Sequence, residues 1–132
     1  MTIAYWCVFA AALLPYACTT LAKWRGGELR YDNHAPRDFL AKLEGWRKRA
    51  DWAQLNSFEA FPAFAAAVIM AQLQAAPQGT VDALAGAFVV VRIVFCASYV
   101  ADLPRLRSLC WGLGFTCTIL LFLSAAGVQI NA

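Results

Sequence analysis

Charge is what this sequence has least of. Of its 132 residues only 14% are Asp, Glu, Lys or Arg, against about 25% in a soluble domain. Three stretches, 1–22, 60–81 and 108–132, hold no charged residue and no histidine, and 83–101 is interrupted only by Arg92. About 20 apolar residues span a bilayer core, so the pattern excludes an ordinary soluble enzyme. Hydrophobic residues make up 61% of the chain, which excludes a disordered tail. The five cysteines all fall in apolar stretches without a Cys-x-x-Cys pair. That excludes a disulfide-knotted secreted domain and leaves the thiols as small apolar packing groups. The single histidine, His34, lies in a polar stretch with no partner at ligand spacing, so no metal is expected. P-loop, dinucleotide-type Gly-rich and Gly-x-Ser-x-Gly motifs are absent. A net charge of +3 gives no reason to expect nucleic acid as a partner.

What is present reads as an all-α, four-helix transmembrane bundle in a single domain, running up-down-up-down, with spans near 2–22, 53–73, 81–101 and 108–128. The first span lacks a positive leading region and is followed by its basic residues, so it reads as a reverse-oriented anchor rather than a signal peptide. Loop 23–52 holds eight of the eleven Lys and Arg residues, and 102–107 adds Arg105 and Arg107. Four spans put both loops on one side, and the positive-inside bias makes that side the cytoplasm, with both termini outside. The stretch 74–80, with Pro77 and Gly79 and no charge, reads as a tight turn between helices.

Loop 23–52 has a pattern of its own. After Pro36, a residue suited to a first helical turn, Phe39, Leu40, Leu43, Trp46 and Ala50 recur at helical spacing among Arg37, Lys42, Arg47, Lys48 and Arg49, with Gly45 in the middle. Two readings follow: an extension of the second span that caps a ligand site, or an interfacial helix whose basic face meets anionic headgroups. The second asks for less. Trp24, Trp46, Trp52 and Trp111 would mark the inner boundary and Trp6 the outer one. Ala63, Ala67 and Ala71 form a stripe of small residues that lets another helix approach closely.

The informative residues are the few polar ones inside the spans. Asn56 and Glu59 are three apart and share a helix face. Glu59 lies roughly 9 Å into its span and Arg92 roughly 14 Å from the same surface. An isolated charge at the bilayer centre costs ~3 kcal/mol on insertion scales, so the two are expected to pair, within a chain or across a subunit interface. Such a pair is also compatible with a role that only fixes helix register. Tyr99 is two turns beyond Arg92, and Arg107 and Ser108 open the fourth span. The six residues at one depth point to a site for an anionic ligand.

These residues resemble a known family signature. The segment Arg49-Ala-Asp-Trp-Ala-Gln-Leu-Asn-Ser-Phe-Glu-Ala-Phe-Pro62 is similar to that of the MAPEG family, the membrane-associated proteins of eicosanoid and glutathione metabolism. Ala53, Asn56, Glu59 and Pro62 carry the match. Arg92 and Tyr99 resemble the family's Arg and Tyr on the third helix, and Arg107-Ser108 the Arg-Ser opening its fourth. The resemblance implies a bacterial-type member in the cytoplasmic membrane, a homotrimer binding glutathione between neighbouring subunits. It implies that Asn56, Glu59 and Tyr99 hold the tripeptide, that Arg92 pairs with Glu59, and that Arg107 and Ser108 serve the sulfur. Transferase or peroxidase chemistry on a small apolar electrophile would follow. Trp52 and Leu55 stand where eicosanoid-forming members carry basic residues, Trp111 replaces a Tyr and Phe95 a polar residue. Those departures keep open a non-catalytic, lipid-binding or scaffold protein of the same fold. A small transporter or channel subunit is a third reading, resting on Glu59 and Arg92 alone.

Overall fold

The computed structural model describes residues 1–24 and 28–128; Arg25, one of the basic residues of the first loop, lies outside them. The described residues form five helices and no strand: α1 (Ile3–Lys23), α2 (Pro36–Ala41), α3 (Gly45–Leu73), α4 (Gln78–Val100) and α5 (Pro104–Ala125). Of these, α1, α4 and α5 are long and apolar enough to cross a membrane. The second expected span is present as α3, but Arg47, Lys48, Arg49, Asp51, Gln54, Asn56 and Glu59 crowd its first half, and by composition it does not join them.

The helix boundaries differ from the expected ones for local reasons. Pro104 occupies the first turn of α5, where its missing N–H costs nothing and its φ is already helical. The third loop therefore shrinks, and Arg105 and Arg107 belong to α5 itself. The carboxyl ends of α3, α4 and α5 share one closing geometry. Ala76, Leu103 and Val128 each donate a backbone bond to the carbonyl five residues back, at 3.0, 2.8 and 3.0 Å. The residue before each, Ala75, Asp102 and Gly127, has φ of 52°, 59° and 79°. This is the Schellman closure, which needs one left-handed residue just past the helix.

The amphipathic segment after Pro36 is two pieces. Gly45, with φ of 59°, turns the chain between α2 and α3, a conformation open to glycine without steric cost. From there α3 runs unbroken for 29 residues, roughly 44 Å, longer than the ~30 Å hydrocarbon core. The basic residues of its first turns point inward rather than to an outer face. Arg47 Nε donates to the Ala22 carbonyl at 3.0 Å, Lys48 Nζ to the Leu40 carbonyl at 2.9 Å, and Arg49 Nε to the Val100 carbonyl at 3.1 Å. Those carbonyls lie in the last turns of α1, α2 and α4, where the ladder runs out of amides and the dipole is negative; the Leu40 carbonyl also accepts from the Leu43 amide at 3.3 Å.

At the opposite end the arrangement reverses in sign. The Asp82 carboxylate of α4 accepts from the Ala4 amide in the first turn of α1 at 2.8 Å, and from Gln78 Nε2 at 2.8 Å. Between the two ends, α3 packs on α1, α4 and α5, and α4 also on α1 and α5. Near the Asp82 end the core is Ala4 and Ala11 of α1, Phe64, Ala67, Val68 and Ala71 of α3, Val81, Ala85 and Phe88 of α4 and Leu121 of α5. Phe64 and Phe88 stack with ring centroids 3.7 Å apart. Ala67 and Ala71 of the small-residue stripe are buried there, and Ala63 is exposed. Nearer the basic end, Cys18, Ala53, Phe95, Cys96 and Cys110 form a second cluster.

Candidate functional site

The polar residues meet where the second cluster approaches the basic end. Arg92, on α4, is 3% exposed, so its guanidinium must find its partners within the protein. Nη2 donates to Asn56 Oδ1 at 3.0 Å and to Ser57 Oγ at 3.3 Å. Its Cζ lies 4.0 Å from the centroid of the Phe95 ring, a cation–π distance. The aliphatic stem passes Gly114 of α5, where an added Cβ would sit 3.5 Å from Arg92 Cδ.

The expected Glu59–Arg92 pair is not a direct contact within the chain. Asn56 stands between them, accepting from Arg92 through its carbonyl oxygen and donating through Nδ2 to Glu59 Oε2 at 3.3 Å. An amide can do both at once because it carries an acceptor and two donors. The acid is thereby left at the surface of α3 while the base is buried. Equal depth along the axis, the basis of the sequence reading, does not fix the angle around it.

Ser57 had no assigned role. It is 4% exposed, and its hydroxyl donates to the Ala53 carbonyl at 2.8 Å. With its one hydrogen so committed, Oγ accepts from Arg92 and, across 3.5 Å, from the Cys96 thiol. The only signal in the sequence was its place beside Asn56 within the span.

Two openings flank Tyr99. One, of about 370 Å³, is lined by Trp52, Leu55, Asn56, Glu59 and Tyr99. The other, of about 220 Å³, is lined by Asn56, Phe95, Tyr99, Arg107, Ser108 and Trp111. Asn56 and Tyr99 belong to both. Five of the six residues singled out in the sequence thus line this double hollow, and the sixth, Arg92, lies behind it and holds Asn56. The Tyr99 ring is fixed from three sides: Phe95 meets it edge-on at 5.6 Å, Trp52 lies at 6.4 Å, and the Arg107 Cζ sits 4.5 Å from its centroid. Arg107 and Ser108 lie near the start of α5, where the positive end of the dipole adds to the guanidinium charge. The hollow therefore offers one cation, one carboxylate, hydroxyl and amide groups, and apolar walls from Trp52, Leu55 and Trp111. Among the described residues no group of His, Cys, Asp and Glu is arranged to hold a metal.

The family model described as MAPEG family matches residues 3–127, nearly the whole chain. Neither the curated proteins nor the solved structures gave a match.

Proposed function

The chain belongs to the MAPEG family, and from that premise we propose that it is an integral membrane protein of four spans that binds glutathione and directs its thiol at a small apolar electrophile or a lipid hydroperoxide. The observation that carries this reading is the convergence of Asn56, Glu59, Tyr99, Arg107 and Ser108 on one double hollow. A tripeptide with an ammonium, two carboxylates and a thiol needs an acid for its amine and donors for its acids. Glu59 and the Asn56 amide answer the first need and part of the second.

The thiol has an ordinary pKa near 8.5, so a reactive site must stabilise the thiolate at neutral pH. Arg107, held over Tyr99, brings a fixed positive charge to the smaller opening, and the Ser108 hydroxyl is a donor beside it. A guanidinium already in place loses little further freedom when the sulfur becomes an anion, the condition under which electrostatic stabilisation is most effective. Trp111 and Phe95 supply an apolar wall for a co-substrate arriving from the lipid.

The hollow is open on the flank of a single chain, and Glu59 is exposed among apolar helix surface. A carboxylate facing hydrocarbon is expensive, so a neighbouring copy is the fitting cover, in a homotrimer with the ligand between subunits. By the charge bias the basic end faces the cytoplasm and both termini face out; a bacterial cytoplasmic membrane is the setting that the resemblance implies.

The test is conjugation of a generic aromatic electrophile by the purified protein. Arg107→Ala is expected to lower kcat/KM by about 10²–10³-fold, the usual effect of removing one anion-stabilising donor. No turnover and no saturable glutathione binding by the unaltered protein would defeat the reading. One observation favours a second, non-catalytic reading. Trp52 and Leu55, about half exposed at 46% and 51%, give the larger opening two apolar walls. A lipid-binding or scaffold protein of this fold would retain its ligand after Arg107→Ala.

A further inference from the structure

A separate hollow, of about 340 Å³, lies at the basic end where α1 finishes and the chain turns from α2 into α3. Its size falls among small-molecule sites. Leu43 and Arg47, 5% and 7% exposed, form its buried side, and Glu28, Lys42, Glu44 and Trp46 stand exposed around it. Two acids and two bases thus face one space, and among the described residues none of the four forms an ion pair. Glu44 holds the N-cap position of α3, yet its side chain caps nothing. Arg47 is the most telling of the four. Its Nε is committed to the Ala22 carbonyl at 3.0 Å, and its Nη groups have no acceptor among the described residues. A guanidinium so deeply buried is costly without acceptors for its remaining hydrogens. The hollow that Arg47 lines is where an acceptor can enter.

The charge pattern selects the occupant. A simple anion would meet Glu28 and Glu44, and a simple cation would meet Lys42 and Arg47. A molecule carrying both signs answers all four. The level in the fold selects its source. Helix α1 is long and apolar enough to cross a membrane and ends at Lys23. Trp24 follows it, 64% exposed, and Trp46 is exposed at the hollow itself, as aromatic residues at headgroup level are. Lipid headgroups are already confined to that level, so an occupant drawn from them gives up less freedom than one from solution.

We propose that this hollow is a headgroup site for a phospholipid bearing a primary amine. The phosphate lies against Arg47 and Lys42, both charge-assisted donors. The ammonium lies toward Glu44 and Glu28, which accept from its hydrogens. A trimethylated amine has no hydrogen to give, and an anionic headgroup has no cation for the acids, so both are disfavoured. The site differs from the general attraction of a basic patch for anionic lipid, because acids stand beside its bases. The bound lipid would join the end of α1 to the turn between α2 and α3.

The test reconstitutes the full chain, without glutathione, in vesicles of equimolar dioleoyl phosphatidylethanolamine, phosphatidylcholine and phosphatidylglycerol. The protein is then extracted in detergent, and native mass spectrometry identifies the lipid carried with it. Phosphatidylethanolamine retained about fivefold over either competitor is the expected result, the factor that a partly solvated charged contact supplies. The double substitution Glu28→Gln and Glu44→Gln should remove that preference, and Lys42→Ala should lower retention of the same lipid. All three side chains are exposed, so the fold is expected to survive, with helix content by circular dichroism as the check. Arg37→Ala, which removes an exposed cation of α2 outside the hollow, should change neither. Equal retention of the three lipids, a preference for phosphatidylglycerol, or a preference untouched by the double substitution would each overturn the proposal. Release of the bound lipid by millimolar phosphoethanolamine would also overturn it, by assigning the hollow to a soluble zwitterion. Because glutathione is absent throughout, the outcome is independent of whether the hollow beside Tyr99 binds it.

Discussion

The two ends of the molecule solve the same problem with opposite charges. At one end, three consecutive residues, Arg47, Lys48 and Arg49, each donate to the last turn of a different helix, α1, α2 and α4. At the other, Asp82 accepts from the first turn of α1. In both cases a helix terminus presents groups that its own ladder cannot satisfy, and the side chain answering them carries the charge that the helix dipole favours. The comparison changes what the cluster of basic residues means. A positive-inside bias needs only cations near the boundary. Here three of them are also fasteners, tying α3 to the ends of its neighbours just above the polar hollow. Among the described residues, the opposite end has Asp82 as its one charged side chain and no comparable set of cationic fasteners. Rigidity and candidate chemistry share the basic end.

The sharpest way to break this comparison is Arg47→Ala. Arg47 is 7% exposed, and its guanidinium also lies 5.3 Å from the centroid of Phe39. Its loss should cost about 1.5–3 kcal/mol, the range for a hydrogen bond from a charged group, read as a lower midpoint of denaturation in detergent or lipid. If Arg47→Ala is neutral, the capping account of the basic end is wrong. Asp82→Ala, at the other end, is expected to cost about 1 kcal/mol, as for other helix N-terminal caps. Equal losses at the two ends would mean that burial of the donor adds nothing. Ala75→Gly should raise stability by about 0.5–1 kcal/mol, because Ala75 closes α3 with a left-handed backbone that disfavours a Cβ. Lys48→Ala is the smallest effect. Its side chain keeps 21% of its surface and its Asp51 partner 9%, at 3.2 Å, and a solvated pair of this kind contributes about 0.5 kcal/mol. A loss as large as that of Arg47 would show that the Lys48 bond to the Leu40 carbonyl, the one that joins α3 to α2, is as strong as a buried one.

Much of the helix pattern was legible along the chain because a run of apolar residues and a proline at a first turn are local signals. Pro36 begins α2 as its position suggests, whereas Pro104, read as part of the third loop, begins α5 four residues before the expected span. Gly45 was equally visible as an irregularity, but whether it would bend a helix or separate two depended on where Arg47 and Lys48 found acceptors, which is a tertiary matter. At the hollow, spacing sufficed to group Asn56 with Glu59 and Arg92 with Tyr99. It did not reveal Ser57, because a neighbour one residue away on a helix points about 100° aside, and only the position of α4 says which residue on that side is met. The Glu59–Arg92 contact failed within the chain for the same reason, with Asn56 intercepting the guanidinium.

The sequence by itself determined that this protein consists of long apolar helices, that its cations gather at one end, and that a handful of polar residues lie at a common depth. Each follows from composition and period, which a single helix carries in its own order of residues. Only the tertiary structure decided which helix terminus each cation serves, that an amide relays between an exposed acid and a buried base, and that Ser57 joins Asn56 in accepting from that base. Those outcomes depend on the rotation of one helix against another, and that rotation is set by the packing of small and large side chains across the whole interface.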